Sequence, residues 1–459
     1  MDPAAWKLTR RDGRLHMDGV DLVGLADAHG TPLHVASAAT LRARCAELRS
    51  ALSDYPATVR LHFSYKTNMV AGVLQVLTAA GMGAEVVSAY ELWLTRRLGL
   101  QGEQIVVNGP NKSDEELAAA IDADVGLLVV DNLAELHRVE TAAAAAGRVA
   151  RIGLRICPDV VPRGMNASSV TGSRRNQFGM DIDGDELTQA IATAAGSDRL
   201  RLRGVMAHIG SGIHDVSAYK VAVDRLLGVQ QRLFAAGATP DLLDLGGGLG
   251  TRLSREFTTL EMLAYIGFGR LPKALHPAPA DLPQRYGRAV VDAVTEGCRR
   301  RELPVPTLVL EPGRALVSDA QVLLLRVGAT RHREGIGHFA LTDGGAMTVS
   351  MMFLSELHAV FLANREGEGD DLRRTNVFGR LPSPMDVVYR NLRLPALQVG
   401  DLLAVMDAGA YFTSTSTNFG GCRPAVVLVD DGEGRLVRRR VTPDDLAACE
   451  LVLAAEEPA

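Results

Sequence analysis

The side chain best equipped for chemistry is Lys66, in the run His62-Phe63-Ser64-Tyr65-Lys66-Thr67-Asn68. The run reads as a short strand over 61–66 that ends on the lysine. A strand-end lysine either reaches solvent or is kept for chemistry, and burial there favours the neutral, nucleophilic amine. Val70, Val73, Leu74 and Leu77 follow at helical spacing and the pattern stops at Gly81, which puts Lys66 on a strand-to-helix loop. An ordinary surface lysine fits this stretch equally well, and the rest of the chain has to decide.

Two glycine-bearing runs point to a phosphate. Gly246-Gly247-Gly248 follows one strand-like run and Gly313 closes the next. Glycine lets backbone N–H groups approach phosphate oxygens. A triple glycine alone is more often a tight turn. Combined with a lone strand-end lysine and Glu311-Pro312-Gly313-Arg314, it becomes much more specific. An amine for a Schiff base, a phosphate cradle and an acid for a pyridine nitrogen are what pyridoxal 5'-phosphate requires.

The elements that must position these groups follow a rhythm. Strand-like runs at 61–66, 84–88, 105–108, 126–130, 151–156, 203–209, 242–246 and 307–311 alternate with helical patterns. Eight such repeats predict an α/β chain built on a (β/α)8 TIM-type barrel, with the polar strand ends converging on one face. Segments 157–182 and 251–286 exceed normal connections and are candidate lids or substrate-contacting insertions. Past Arg314 the pattern turns to short strands, at 322–325, 338–342, 401–406 and 425–429. The expected organisation is a barrel over 34–314 and a β-sandwich or β-barrel domain made of 1–33 and 315–459. Within it, strands are expected at 14–17, 20–23 and 33–36, a solvated acidic loop at 366–371 and a frayed end at 454–459.

Bulk properties narrow the function classes. A net charge of -5 over 459 residues, with no basic run, argues against nucleic-acid or anionic-lipid binding. The N-terminus lacks an apolar signal core and no stretch suits a bilayer, so a cytoplasmic protein without a membrane partner is expected. Cys45, Cys157, Cys298, Cys422 and Cys449 are scattered without paired spacing, which predicts neither disulfides nor a metal site.

In motif order the chain resembles the fold-type III pyridoxal-phosphate decarboxylases that act on diaminopimelate, ornithine and arginine, which share a barrel with alanine racemase. The resemblance lies in Tyr65-Lys66-Thr67-Asn68, the run Glu85 to Leu92, Phe178-Gly179-Met180 and His208-Ile209-Gly210-Ser211. It continues in Leu243 to Gly248, Glu311 to Arg314, Gly400 to Leu403 and Asp407 to Tyr411. It implies Lys66 as the Schiff-base lysine, Glu311 facing the ring nitrogen and His208 stacked on the ring. Gly247, Gly248, Gly313, Ser211 and Tyr411 would hold phosphate, and Glu85 and Arg155 would flank the cofactor. Arg314 would bind phosphate or a substrate carboxylate; Tyr411 and Asp386 are further candidates at the substrate, and Asp386 a catalytic one. A homodimer with shared sites is also implied.

Three departures stand out. The family's β-domain cysteine, which comes from the partner subunit and protonates the product, aligns with Pro382 in Gly379 to Asp386. Glu85 stands where aspartate is usual. The arginine stretch that holds diaminopimelate's distal carboxylate is replaced by Met347, Thr348, Ser350, Met351, Met352 and Phe353, which disfavours diaminopimelate. The leading expectation is decarboxylation of an amino acid or a similar metabolite. Alternatives are decarboxylation coupled to transamination or oxidation, a racemase or epimerase, and a non-catalytic pyridoxal-phosphate binder. Glu356 or Asp386 could read a distal amine, and Cys422 could stand in for the missing thiol.

Overall fold

A computed structural model describes residues 2–165, 169–272, 277–349, 356–367 and 372–451. Eight parallel strands form the barrel: Val59–Ser64, Gly83–Val86, Ile105–Val107, Leu127–Val130, Ala150–Cys157, Leu200–Met206, Leu242–Asp244 and Thr307–Leu310. Each pairs with the next in sequence, and the last pairs with the first through Leu308 opposite Val59, which closes the ring. The strands are buried almost throughout, as expected where one face meets the barrel interior and the other meets helices. Val106, Leu127, Val129, Met206, Leu242 and Val309 fill the interior as one cluster. Outside, Leu282–Arg301 turns Tyr286, Val290, Val291 and Val294 inward. Its Gly287 is obligatory, since a Cβ there would meet the Ala51 carbonyl oxygen at 1.9 Å.

Several strands stop earlier than their patterns predict, and local polar chemistry explains two of them. The first ends at Ser64, and Tyr65–Thr67 forms a single 3-10 turn, so Lys66 rides on the turn. The second ends at Val86 because the Ser88 hydroxyl accepts the Glu91 N–H and caps the next helix. The seventh ends at Asp244, whose carboxylate accepts the Gly246 N–H at 2.8 Å while Gly246 turns at φ +61°. The strand predicted at 203–209 ends at Met206.

A second sheet is built around the long strand Gln321–Arg333. Leu33–Ser37 pairs antiparallel with it and parallel with Ala425–Asp430. Residues 34–37 therefore belong to this sheet, although the barrel was expected to begin at 34. Gly337–Thr342, Leu402–Val405 and Ala425–Asp430 stand where short strands were predicted. Arg373–Phe378 and Val387–Leu394 also join the sheet; their mixed charged and apolar residues hid them. The N-terminal arm forms its own three-stranded sheet. Its third strand is only Val20–Asp21, because Asp21 caps the helix Leu22–His29. The insertion after the seventh barrel strand carries the helix Thr259–Phe268 and the strand Arg255–Glu256, which pairs with Glu356–Leu357. Residues 368–371 of the acidic loop, 454–459, and Ser350, Met351, Met352 and Phe353 lie outside the described residues.

Candidate active site

The C-terminal ends of the barrel strands surround a cavity of about 510 Å³, a size suited to a small molecule. Lys66, Glu85, Arg155, His208, Ser211, Gly247, Gly248, Glu311, Gly313, Arg314 and Tyr411 all line it. Of the predicted site residues, only Asp386 lies elsewhere. Its two carboxylate oxygens accept the N–H groups of Ala346 at 2.8 Å and Leu381 at 2.7 Å. Gly345 and Gly379 pack directly against that carboxylate. Asp386 faces a different cavity, of about 390 Å³, which also contains Cys422. Within the chain neither reaches Lys66, because Asp386 is consumed in bracing two loops of the second sheet.

The Lys66 ammonium donates to Ser64 Oγ at 2.8 Å and to Glu85 Oε2 at 2.7 Å. Burial opposes its charge, but the negative fields of Glu85, Tyr411 and Glu311 outweigh burial and raise the lysine pKa. This corrects the expectation that burial alone leaves a neutral amine: the carboxylates gathered by the barrel hold the proton on. The Lys66 turn is also fastened to the second sheet. Asn68 donates to the Gly409 carbonyl at 2.9 Å, and the Tyr411 N–H donates to the Thr67 carbonyl at 2.8 Å.

Glu311 follows the eighth barrel strand, beside the first strand that leads to Lys66, and accepts a hydrogen bond from Asn108 Nδ2 at 2.8 Å. Burial, then Asp244 and Glu85, push its pKa well up. His208 is pushed down to about 3 by burial and by the positive charges of Lys66 and Arg155, so its ring is neutral. Its Nδ1 accepts the Gly247 N–H at 3.2 Å, which fixes the tautomer with hydrogen on Nε2. Arg155 lies 3.5 Å from Asp131 and stacks over Phe178 at 4.6 Å.

The glycine corner is close-packed. A Cβ at Gly247 would meet the Glu311 carbonyl oxygen at 2.2 Å, one at Gly248 the Gly210 carbonyl oxygen at 2.2 Å, and one at Gly313 Thr67 Oγ1 at 2.4 Å. Gly248 also needs φ +100°, a conformation costly for any other residue. An amine at one side, a buried carboxyl at another and bare backbone at a third fit pyridoxal phosphate. The sequence signals that could have marked Asn108 and Asp244 are single polar residues ending apolar strands. Glu356, a candidate for a distal amine, instead arrives beside Arg314 through the pairing of Glu356–Leu357 with the insertion strand, a meeting that nothing local marks.

Comparison with known proteins decides the family. Residues 38–318 match the pyridoxal-binding domain of the pyridoxal-dependent decarboxylases. The chain belongs to that family. This decarboxylase is 34% identical over 444 residues to the diaminopimelate decarboxylase of Pseudomonas aeruginosa, covering 96% of this chain and 98% of that one. It is 29% identical to the Bacillus subtilis diaminopimelate decarboxylase, covering 96% and 95%. The diaminopimelate decarboxylase of M. jannaschii, solved with L-lysine, superposes with a TM-score of 0.84 at 27% identity, with 97% of each chain covered. The protein is therefore a pyridoxal-phosphate-dependent carboxy-lyase of the (β/α)8 class whose substrates are amino acids. Among the described residues no helix is long and apolar enough to cross a membrane.

Proposed function

We propose that this decarboxylase removes the α-carboxylate of an amino acid other than diaminopimelate. The observation that carries this reading is the state of Arg314. Arg314 Nη1 donates to Glu356 Oε1 at 2.7 Å and both side chains are buried. Its Nε donates to Ser211 Oγ at 3.0 Å, and Glu256 stands 3.7 Å away. Burial opposes the Glu356 charge, yet Arg314 and His358 hold the carboxyl down at about 2. A guanidinium already paired with a carboxylate is a poor receptor for the second carboxylate of diaminopimelate. The absence of an arginine at the aligned positions 347–353 supports the same conclusion.

Pyridoxal phosphate, when bound, supplies a sink for the electron pair left behind as carbon dioxide departs. The chain's residues then have separable tasks. Lys66 would hold the cofactor through its amine and release it when the substrate amine takes its place. Glu85 accepts the Lys66 proton directly, and Ser64 bonds to both. Glu311 would hold a proton at the ring-nitrogen end. Neutral His208 and Arg155 would pack against the ring. Ser211, Gly247, Gly248, Gly313 and Tyr411 would bind phosphate. Asp386 acts by bracing its loops.

The reading extends to a homodimer and a cytoplasmic setting. Exposed Phe268, Leu260, Phe419 and Met385 support the first, as apolar surface that a second copy would cover. The free thiols of Cys45, Cys157 and Cys298 support the second. Carbon dioxide release is to be measured with meso-diaminopimelate, lysine, ornithine, arginine and neutral amino acids. Release from at least one of the others that exceeds release from diaminopimelate is expected. Diaminopimelate as the best substrate would overturn the substrate assignment, and sedimentation as a monomer would remove the dimer.

A further inference from the structure

Asp244 is fully buried at the end of the seventh barrel strand, yet the chemistry derived so far does not use it. Its Oδ1 accepts the Gly246 N–H at 2.8 Å, while its Oδ2 is buried with no geometrically regular donor in reach. Across the strand pair stands Glu311, whose Oε1 is occupied by Asn108. The backbone locks the two residues together, since the Glu311 N–H donates to the Gly246 carbonyl at 2.8 Å. Asp244 stands in register with Val309, two residues before Glu311, so both carboxyls project to the same face of the barrel at neighbouring strand ends. After burial, Asp244 is the leading influence that raises the Glu311 pKa. Two buried carboxyls this close favour holding one proton between them over carrying two charges.

We propose that Asp244 is the positioning residue for Glu311: the pair shares one proton and presents it to the ring-nitrogen end of the cavity. The inference rests on the reading of Glu311 as the ring-nitrogen partner. The proton step is simple and balanced. An O–H bond of the pair breaks, an N–H bond to the ring nitrogen forms, and the negative charge stays on the two carboxyls. Other charged and titratable groups face this pair. Glu85 adds negative field, Arg155 and Lys66 add positive field, and the Tyr286 hydroxyl and neutral His208 complete the wall. Burial is the largest influence on both carboxyls. It pushes Asp244 up to about 7, which makes the shared proton available near neutral pH.

The test uses holoenzyme reconstituted with ring-15N pyridoxal phosphate and follows the nitrogen chemical shift against pH. Asp244→Asn keeps size and a hydrogen bond to Glu311 but removes one negative charge. It is expected to lower the ring-nitrogen protonation midpoint by about one pH unit, a roughly tenfold change in the proton equilibrium. Cofactor affinity should weaken with it. In a Glu311→Gln background the same substitution should change nothing further. An unchanged midpoint and affinity in Asp244→Asn would reduce Asp244 to packing. An equal shift in the Glu311→Gln background would show that it does not act through Glu311. A midpoint unaffected by Glu311→Gln itself would instead sink the reading of Glu311, a separate result.

Discussion

The reactive lysine is controlled by its neighbours. Lys66 Nζ is hydrogen-bonded to Glu85, and the surrounding carboxylates raise its pKa above the ordinary lysine value. Only the neutral amine attacks an aldehyde, so cofactor uptake by the apoprotein should accelerate as pH rises toward that raised value. Glu85→Gln removes the leading source of the shift and should move this limb to lower pH; stopped-flow absorbance of cofactor uptake measures it. Lys66→Ala should abolish the bound-cofactor absorbance band and reduce carbon dioxide release by about a thousandfold or more. The Glu356 pair makes a second residue-scale prediction. Its folded pKa of about 2 lies below the unfolded carboxyl value, so its stabilisation is present above that unfolded value and is lost as pH falls toward 2. Glu356→Gln strands a buried guanidinium and should destabilise the fold by about 3 kcal/mol, read by urea unfolding. It should also raise the relative rate with amino acids bearing a distal carboxylate. Lys66, Glu311 and the glycine corner were legible from sequence because strand ends and glycines announce themselves locally. Glu356 was named only as a possible reader of a distal amine, and its pairing with Arg314 was not legible, because the two are separated by forty-two residues and a sheet pairing.

At the scale of elements, loops from the second sheet and the arm hold the barrel's site in register. Trp6 Nε1 donates to Asp407 Oδ2 at 2.9 Å, and Asp407 begins the loop that ends at Tyr411. Tyr411 is itself tied to the Lys66 turn and lies under Arg314 at 5.4 Å. Trp6→Phe keeps the ring contact with Phe361 but loses the buried hydrogen bond. It should weaken cofactor binding about fivefold, a loss near 1 kcal/mol, measured by fluorescence titration. Asp386 gives a contrasting case. Two backbone N–H groups depend on its carboxylate, so Asp386→Asn should cost about 2–3 kcal/mol and lower the thermal midpoint. Sequence placed Asp386 among catalytic groups because it follows a motif position. Only the packing of Gly345 and Gly379 against it reveals the brace.

Across the whole molecule, the two rims of the barrel divide labour. The C-terminal rim carries the cavity. The opposite rim is closed by an ion network centred on Arg203, which is buried and donates to Glu103 at 2.7 Å, Asp241 at 2.9 Å and the Gly126 carbonyl at 3.1 Å. Arg60 and Arg151 also reach Glu103, so residues of six barrel repeats meet there. Glu103 and Asp241 are partly solvated, which limits the gain. Arg203→Ala should destabilise by about 2 kcal/mol in a denaturant melt while leaving cofactor affinity unchanged.

Sequence by itself determined the barrel, the cofactor chemistry and nearly every group around the cavity, because a repeating strand–helix pattern brings its strand ends to one face. It also shows a proline at 382 and no arginine over 347–353, the positions where the family resemblance leads one to expect a thiol and an arginine. Tertiary structure alone decided the electrostatics. Whether Lys66 carries a proton, whether Arg314 is open to a substrate and whether Asp244 shares a proton with Glu311 depend on which charges meet at hydrogen-bond distance in a buried space. Those meetings join residues far apart in the chain, and no local pattern encodes them.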